Sequence, residues 1–330
     1  QKAAGPRLRN FLIKATSNRF KGIGVGAAIT ALFQSSSATT VMLVGFVGSG
    51  LMGLAETMGV ILGADIGTTL TVQILAFKLY DYAIALIGAG VLLHLSSGKG
   101  TMKHVGQAIL GFGFVFFALK LLIETFSPIA ANPLLSGFLV GFSSDPVAGI
   151  IIAGLLTALF QSSAATLGIA ITAAHSGLLT IDAAMPIVLG ANVGTCVSAI
   201  VSSLGATVDA KRVALAHILF KVLGVIIVVP LLSAFTHLVG YASLDPARQV
   251  AIAHTLFNIA IAIIFLPFIT PFTGLIKRLL PDKPDMHKSG AKYLDPIVLA
   301  SPSLALVQAT REALRAADIV QEMLSKSIEV

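Results

Sequence analysis

The sequence predicts an all-α integral membrane protein, because its residues are too apolar for a water-soluble globule and fall into long apolar blocks. Of its 330 residues 56% are hydrophobic and 11% are charged, whereas soluble domains carry about 25% charged residues. Several blocks reach the roughly 20 residues that a helix needs to cross a bilayer. A soluble protein with a very large apolar core is the alternative, but the blocks are too long and too free of charge to favour it. The blocks are 23–50, 54–77, 82–97, 104–123, 147–172, 181–205, 213–236 and 250–272.

The formal net charge of +7 does not indicate a nucleic-acid partner, because the basic residues lie between the apolar blocks. That distribution is the one that sets membrane topology. The single cysteine, Cys196, excludes an intrachain disulfide. We therefore expect membrane lipid, and no nucleic acid, around this chain.

The chain contains an internal duplication at an offset of 127 residues. The stretch TALFQSSSAT at 30–39 returns as TALFQSSAAT at 157–166, and LGADIGT at 62–68 returns as LGANVGT at 189–195. From 26 to 69 the copies align without a gap, with 18 of 44 positions identical. Internal repeats are typical of secondary transporters, whose binding sites form where the repeats meet.

The basic residues predict the orientation of the two repeats. If 23–50 and 147–172 are re-entrant hairpins, three crossings separate them and the repeats are inverted; if both span the membrane, the repeats are parallel. Only the hairpin topology gives a strong positive-inside bias, and it puts both ends of the chain in the cytoplasm. The cytoplasmic side then holds Lys2, Arg7, Arg9, Lys14, Arg19, Lys21, Lys99, Lys103, Lys211, Arg212 and eight basic residues from Lys277 to Lys326, against Lys78 and Arg248 outside.

This topology divides the chain into five expected segments. They are a cytoplasmic basic lead-in at 1–21, a first repeat at 22–97, a connecting helix with an external loop at 98–146, a second repeat with its following helices at 147–272, and a cytoplasmic tail at 273–330. Each repeat is expected to contain a re-entrant helical hairpin and a broken transmembrane helix.

The Gln-Ser-Ser motifs place many polar groups inside apolar blocks. Each unpaired polar group costs several kcal/mol there, so they must pair with one another, with water or with a ligand. Helix packing explains one such motif equally well. Two copies, each followed by a glycine-flanked polar position, favour a binding site.

The glycine-flanked positions suit a cation. Glycines bracket Asp65 in the first copy and Asn192 in the second, and glycines allow a helix to unwind and free its carbonyls for a cation. Thr68 and Thr195 add hard oxygen donors. His217 and His254 lie in a weaker internal match, 214–220 with 251–257, where a functional and a packing role are equally open.

The absence of Lys and Arg from both motifs limits the anion. A helix N-terminus offers only about half a unit charge, so two hairpin tips offset about one negative charge. A dianion at this depth needs co-bound cations, and their binding is then reciprocally coupled. An ion-coupled anion transporter is the function that the motifs favour.

The paired motifs at 34–40, 161–166, 63–68 and 190–195 resemble the type II sodium–phosphate cotransporter family, in its bacterial branch, over about residues 7 to 325. The resemblance implies inverted repeats with re-entrant hairpins, phosphate and sodium as the transported species, and a location in the bacterial inner membrane. It implies no enzymatic activity and no cofactor other than coupling sodium ions, and it leaves a homodimer open.

Matched to the family's motifs, two sets of residues acquire expected roles. The phosphate ligands are Ser35, Ser36, Ser37, Ser162 and Ser163. The residues of the sodium sites, or of the hairpin supports, are Gln34, Gln161, Asp65, Thr68, Asn192 and Thr195. The chain departs from the family pattern at Asp65, where Asn is expected, and at Ala164, which removes one hydroxyl.

Two other functions stay in competition with sodium–phosphate symport. A phosphate exporter of the same fold is indistinguishable from the sequence. An intramembrane serine hydrolase requires a serine, a histidine and an orienting group to converge, whereas two equivalent serine motifs indicate a symmetric binding site. The tail resembles the stretch that leads into a PhoU-like helical domain, with an amphipathic helix over about 303–328; a helix lying on the membrane surface is the alternative.

Overall fold

A computed structural model describes residues 10, 12–77, 79–98, 100–129, 145–282, 293–294 and 301–328. The basic lead-in up to residue 9, the connection at 130–144, which the sequence predicts to be external, and residues 283–292 and 295–300 of the tail lie outside this part. The chain forms two compact units, Gln1–Pro281 and Asp282–Val330. Regular structure in the described residues is entirely helical, which confirms the all-α prediction.

The larger unit is built from apolar helices joined by short connections. In chain order they are α1 (Arg19–Phe33), α2 (Ser36–Gly48), α3 (Leu54–Ala76), α4 (Ala83–Ser96), α5 (Thr101–Ile129), α6 (Pro146–Phe160), α7 (Ser163–His175), α8 (Ile181–Gly194), α9 (Cys196–Ser203), α10 (Val208–Val228), α11 (Leu232–Ala242), α12 (Pro246–Phe265) and α13 (Ile269–Leu279). Within the described residues, four segments are long and apolar enough to cross a membrane: Leu54–Ala76, Ile181–Ser203, Val208–Ala242 and Pro246–Leu279.

The polar motifs lie at turns between two short helices in each repeat. Helices α1 and α6 have 15 residues, and α2 and α7 have 13. At 1.5 Å per residue these helices are about 20–23 Å long, shorter than the roughly 30 Å hydrocarbon core. Each pair therefore forms a helical hairpin whose single arms are shorter than the hydrocarbon core, while a re-entrant placement of these hairpins stays a prediction.

Each hairpin is followed by a helix that packs in parallel on its first arm. Gly63 of α3 contacts the backbone of Ile23 in α1, and Gly190 of α8 contacts that of Ile150 in α6, so both pairs are offset by 40 residues. A Cβ added at either glycine would overlap the facing carbonyl oxygen. Glycines four residues apart on one face of a helix, such as Gly63 and Gly67, allow membrane helices to approach closely.

The expectation of a broken helix is wrong for the first repeat. Helix α3 runs without interruption from Leu54 to Ala76, through Gly63 and Gly67. In the second repeat α8 ends at Gly194 and α9 begins at Cys196, with only Thr195 between them. The glycines of α3 make close contacts with the backbone of α1 within a regular helix.

The other helices complete the unit around two apolar clusters. Helices α4 and α5 are antiparallel, since Gly90 contacts Leu110 and Gly106 contacts His94. Short 3-10 turns with proline, Val229–Leu231 and Leu266–Phe268, follow α10 and α12. Helices α10 and α12 supply Phe220 and Phe257, two of the largest fully buried side chains, to a cluster that also contains residues of α3.

The smaller unit contains α14 (Pro302–Ile328), which confirms the helix expected at about 303–328. Arg315 forms an ion pair with Glu312 one turn earlier. The other Glu312 carboxylate oxygen, Oε2, accepts a hydrogen bond of 2.9 Å from the backbone N–H of Tyr293.

Candidate functional site

Both hairpin tips use the same backbone turn, with glutamine in a left-handed conformation. Gln34 has a φ of 54° and Gln161 a φ of 53°, and in the described residues no other non-glycine residue has a positive φ. The serine that follows each glutamine caps the second arm. Ser35 Oγ accepts from the N–H of Ala38 at 3.1 Å, and Ser162 Oγ accepts from that of Ala165 at 3.2 Å. The motif sequence therefore sets the turn and begins the next helix.

A buried threonine pair joins the two arms of each hairpin just behind its tip. The hydroxyl oxygens of Thr30 and Thr39 are 2.8 Å apart, and Thr157 donates to Thr166 at 2.7 Å. All four side chains are at most 1% exposed. Each repeat thus has its own equivalent threonine hydrogen bond between the two arms of its hairpin, in addition to the same order of helices.

The two tips meet. The hydroxyl of Ser37 donates to the backbone carbonyl of Gln161 across a distance of 3.4 Å. The reciprocal contact cannot form, because Ala164 occupies the position equivalent to Ser37. The motifs that are 127 positions apart in sequence are therefore adjacent in the fold.

The expected phosphate ligands all lie at this meeting point, in different settings. Ser36 and Ser163 are the first residues of α2 and α7 and are 6% and 4% exposed. Ser35 and Ser162 are the helix caps, and Ser37 bridges the tips. Two helix N-termini, with their free N–H groups and positive dipole ends, thus begin beside serine hydroxyls, an arrangement that suits an anion.

A cavity of about 550 Å³ borders both tips. It is lined by Gln34 from the first hairpin, by Phe160, Ala164 and Ala165 from the second, and by Thr71 of α3, together with apolar residues of α3, α5 and α7. The cavity leaves the Gln34 side chain and the first turn of α7 facing space that a small ligand can enter.

The expected threonine ligands lie inside the unit with their hydroxyl protons already used. Thr68 Oγ1 donates to the carbonyl of Ala64 at 3.1 Å, and Thr195 Oγ1 donates to that of Asn192 at 2.8 Å. Both side chains are at most 5% exposed. Each hydroxyl oxygen keeps lone pairs that its donated bond does not use.

Asp65 and Asn192 are brought together, but around a lysine that the sequence analysis missed. Lys221 of α10 is 2% exposed, and its Nζ is 3.0 Å from Asp65 Oδ1 and 2.9 Å from Asn192 Oδ1. It also donates to Asn258 Oδ1 of α12 at 2.7 Å. A lone charge in the apolar block 213–236 was the signal, because ionisable residues within membrane segments are rare and functional by default.

The two histidines are buried near this lysine and not at the tips. His217 Nε2 lies 3.5 Å from Asp65 Oδ1, and both His217 and His254 are 1% exposed. The Nδ1 atoms of both rings have no hydrogen-bond partner among the described residues. Ser35 and Ser162 accept hydrogen bonds from backbone N–H groups of their own hairpins, and Ser37 donates to the carbonyl of Gln161. None of these bonds joins a motif serine to a histidine, as a hydrolase would require.

Comparison with known proteins finds a matching family and several relatives. The sequence profile of the Na+/Pi-cotransporter family matches residues 1–124 and 127–267. The chain is 31% identical over 321 residues to YjbB of Escherichia coli (strain K12), a protein named for inorganic phosphate export. It is 33% identical over 241 residues to YqeW of Bacillus subtilis (strain 168), covering 73% of this chain and 78% of that protein.

A eukaryotic protein matches over a shorter stretch. Human sodium-dependent phosphate transport protein 2B is 32% identical over 139 residues, which are 39% of this chain and 20% of that protein. The match to YjbB covers 97% of this chain but 59% of YjbB, so the chain spans about three fifths of that relative. No solved structure is significantly similar to this chain.

Proposed function

Because this chain belongs to the Na+/Pi-cotransporter family, we propose that it carries inorganic phosphate across a membrane together with sodium ions, by alternating access. The observation that carries the proposal is the contact between the two hairpin tips, where Ser37 reaches Gln161. Transport needs a site in which both halves of the protein hold the substrate, and this contact is where both halves present polar groups.

Phosphate binds between the first turns of α2 and α7. The N–H groups of these turns and the hydroxyls of Ser36 and Ser163 supply donors from both repeats. Each helix end contributes about half a positive charge, so the two ends balance about one of the two charges of hydrogen phosphate. Sodium ions bound nearby balance the remainder.

Sodium binds to oxygen atoms just behind the tips. Gln34 and Gln161 contribute side-chain amide oxygens, and Thr68 and Thr195 contribute hydroxyl oxygens from the helices that pack on the hairpins. These are hard, neutral ligands of the kind that alkali cations take in transporters. Phosphate is then held well only with its sodium ions, which couples their movement.

The hairpins enter the membrane from opposite sides. Each is too short to cross, and their tips meet, so inverted repeats bring both tips to the middle of the bilayer, in agreement with the positive-inside distribution of Lys and Arg. The chain is then a multi-pass protein of a bacterial inner membrane with the lead-in and tail in the cytoplasm.

Export is the second candidate for the direction of transport. YjbB, named for phosphate export, aligns with 97% of this chain, whereas the protein named for sodium-dependent transport aligns with 39%. Phosphate efflux from loaded cells after a shift to high internal phosphate, compared with uptake by starved cells, separates export from uptake.

The test is uptake of radioactive phosphate into proteoliposomes that contain the full-length protein, with sodium, potassium or choline outside. We expect phosphate uptake with sodium outside and none with potassium or choline. Equal uptake in all three salts would contradict sodium coupling. Ser36→Ala and Ser163→Ala should each lower phosphate affinity about tenfold, by loss of one hydrogen bond to a charged ligand. Ser49→Ala, an exposed serine beyond α2, is the matched control and should behave as the wild type.

A further inference from the structure

Lys221 is the centre of a buried oxygen cluster contributed by four helices. Its ammonium on α10 is bonded to Asp65 of α3, Asn192 of α8 and Asn258 of α12, at 3.0, 2.9 and 2.7 Å. All four residues are at most 4% exposed. The three oxygen partners come from both repeats, so the ammonium lies on the interface between them.

The two asparagines are oriented to present oxygen to this position. Asn192 donates its Nδ2 to the carbonyl of Val188 at 2.9 Å, and Asn258 donates its Nδ2 to that of His254 at 2.8 Å. Each amide oxygen is thereby turned toward Lys221. Hard cations prefer oxygen ligands. The carboxylate oxygen and the two amide oxygens that surround the ammonium would therefore also suit a metal cation such as sodium.

The internal matches pair the charged residues with neutral ones. Asp65 corresponds to Asn192 at the offset of 127, and Lys221 corresponds to Asn258 at an offset of 37, one residue beyond the match of 214–220 with 251–257. In each match an asparagine thus corresponds to a charged residue, Asn192 to Asp65 and Asn258 to Lys221. The added negative charge is accompanied by an added positive charge that contacts it.

We propose that Lys221 is a tethered counter-ion: its ammonium occupies a cation site formed by Asp65, Asn192 and Asn258 and takes the place of one dissociable sodium ion. The proposal rests on the proposed function, because it concerns the number of sodium ions that accompany phosphate. A cation attached to the chain neutralises Asp65 in every state but is not carried across. Each transport cycle therefore moves one sodium ion fewer than it would with an empty site.

A purely structural ion pair predicts a different response to removal of the lysine. Removing one partner of a buried pair leaves an uncompensated charge and is strongly destabilising. If the oxygen cluster is a cation site, sodium in solution enters the space that the ammonium leaves and compensates Asp65. If the lysine serves only to hold the helices together, sodium does not restore the stability that the variant loses.

The experiment measures thermal unfolding of the purified full-length protein in detergent, without phosphate, in sodium chloride and in choline chloride of equal ionic strength. Lys221→Asn should be stabilised by sodium, with a Tm roughly 3 °C or more higher than in choline, beyond any sodium effect on the wild type. Asp65→Asn combined with Lys221→Asn should lose this added gain, because the carboxylate is gone. Lys211→Asn, an exposed lysine on the same helix, is the matched control and should respond as the wild type.

The outcomes separate this proposal from the proposed function. Recovery of folded Lys221→Asn in sodium but not in choline supports the tethered counter-ion. The proposal is overturned if the variant cannot be recovered folded in either salt. It is also overturned if the Tm of the variant is the same in sodium and in choline. In proteoliposomes, Lys221→Asn should carry one more sodium ion with each phosphate than the wild type. Its phosphate uptake should therefore depend more steeply on sodium concentration. Wild-type protein that carries no phosphate would refute the proposed function, while the Tm comparison, which contains no phosphate, would still decide the role of Lys221.

Discussion

Gln34 and Gln161 combine a backbone role with a side-chain role. Both adopt a left-handed conformation, which costs roughly 1–2 kcal/mol for a residue with a Cβ and almost nothing for glycine. A turn alone would be served better by glycine, so the glutamine side chain has a use that outweighs the strain. The proposed sodium ligation is such a use.

Gln161→Gly separates the two roles. We expect the free energy of unfolding to stay within about 1 kcal/mol of the wild type, because relief of left-handed strain offsets the greater entropy of glycine in the unfolded chain. We expect sodium-dependent phosphate uptake to fall at least tenfold, since the amide oxygen is lost while the backbone carbonyl that Ser37 contacts is kept. Gln161→Ala keeps the strain and should lose uptake as well. Wild-type uptake by Gln161→Gly would show that the side chain binds no coupling ion.

The sequence predicted that the two tips lie together, and it singled out Asp65 and Asn192, but it missed Lys221, which binds both. The tips are local, since each glutamine, its following serines and the capped helix lie within a few positions, and the duplication doubled the signal. The partners of Lys221 lie in three other helices, and the closest of them in sequence, Asn192, is 29 positions away. Only the packing of α3, α8, α10 and α12 reveals that Asp65 is already neutralised.

At the scale of helices, the apolar blocks were sufficient to predict an all-helical protein, whereas the topology that the basic residues predict stays a prediction. Gly63 and Gly67, which flank Asp65, led to one wrong prediction, the break in α3. Glycines four residues apart permit unwinding, but they also permit close contact between two regular helices. Which of these occurs depends on the facing helix, and here α1 and α6 approach the glycines of α3 and α8.

Gly63→Ala should disrupt the contact between α1 and α3. The added methyl group would overlap the carbonyl oxygen of Ile23, and we expect a loss of about 1–3 kcal/mol in the free energy of unfolding, as for overpacked cores. Gly24→Ala, on the same helix pair but with no atom within 4 Å of the added Cβ, should be neutral or stabilising by up to about 1 kcal/mol. Thermal unfolding in detergent measures both. Equal stability of the two variants would refute the role of Gly63 in packing.

At the scale of the whole molecule, each repeat consists of a hairpin and the helix that packs on its first arm. Close glycine contacts hold α1 to α3 and α6 to α8, whereas the two hairpins touch each other through one hydrogen bond of 3.4 Å. Such a division suits two rigid halves that separate at their tips. It also places Lys221, which contacts both α3 and α8, between the two repeats.

The account depends most on the two tips forming one site for phosphate and sodium. Equilibrium binding of radioactive phosphate to the purified full-length protein tests this directly, in sodium chloride and in choline chloride. We expect binding in sodium, little or none in choline, and at least a tenfold weaker affinity when Ser36→Ala and Ser163→Ala are combined. Phosphate binding of equal strength in both salts, or unchanged in the double variant, would contradict it.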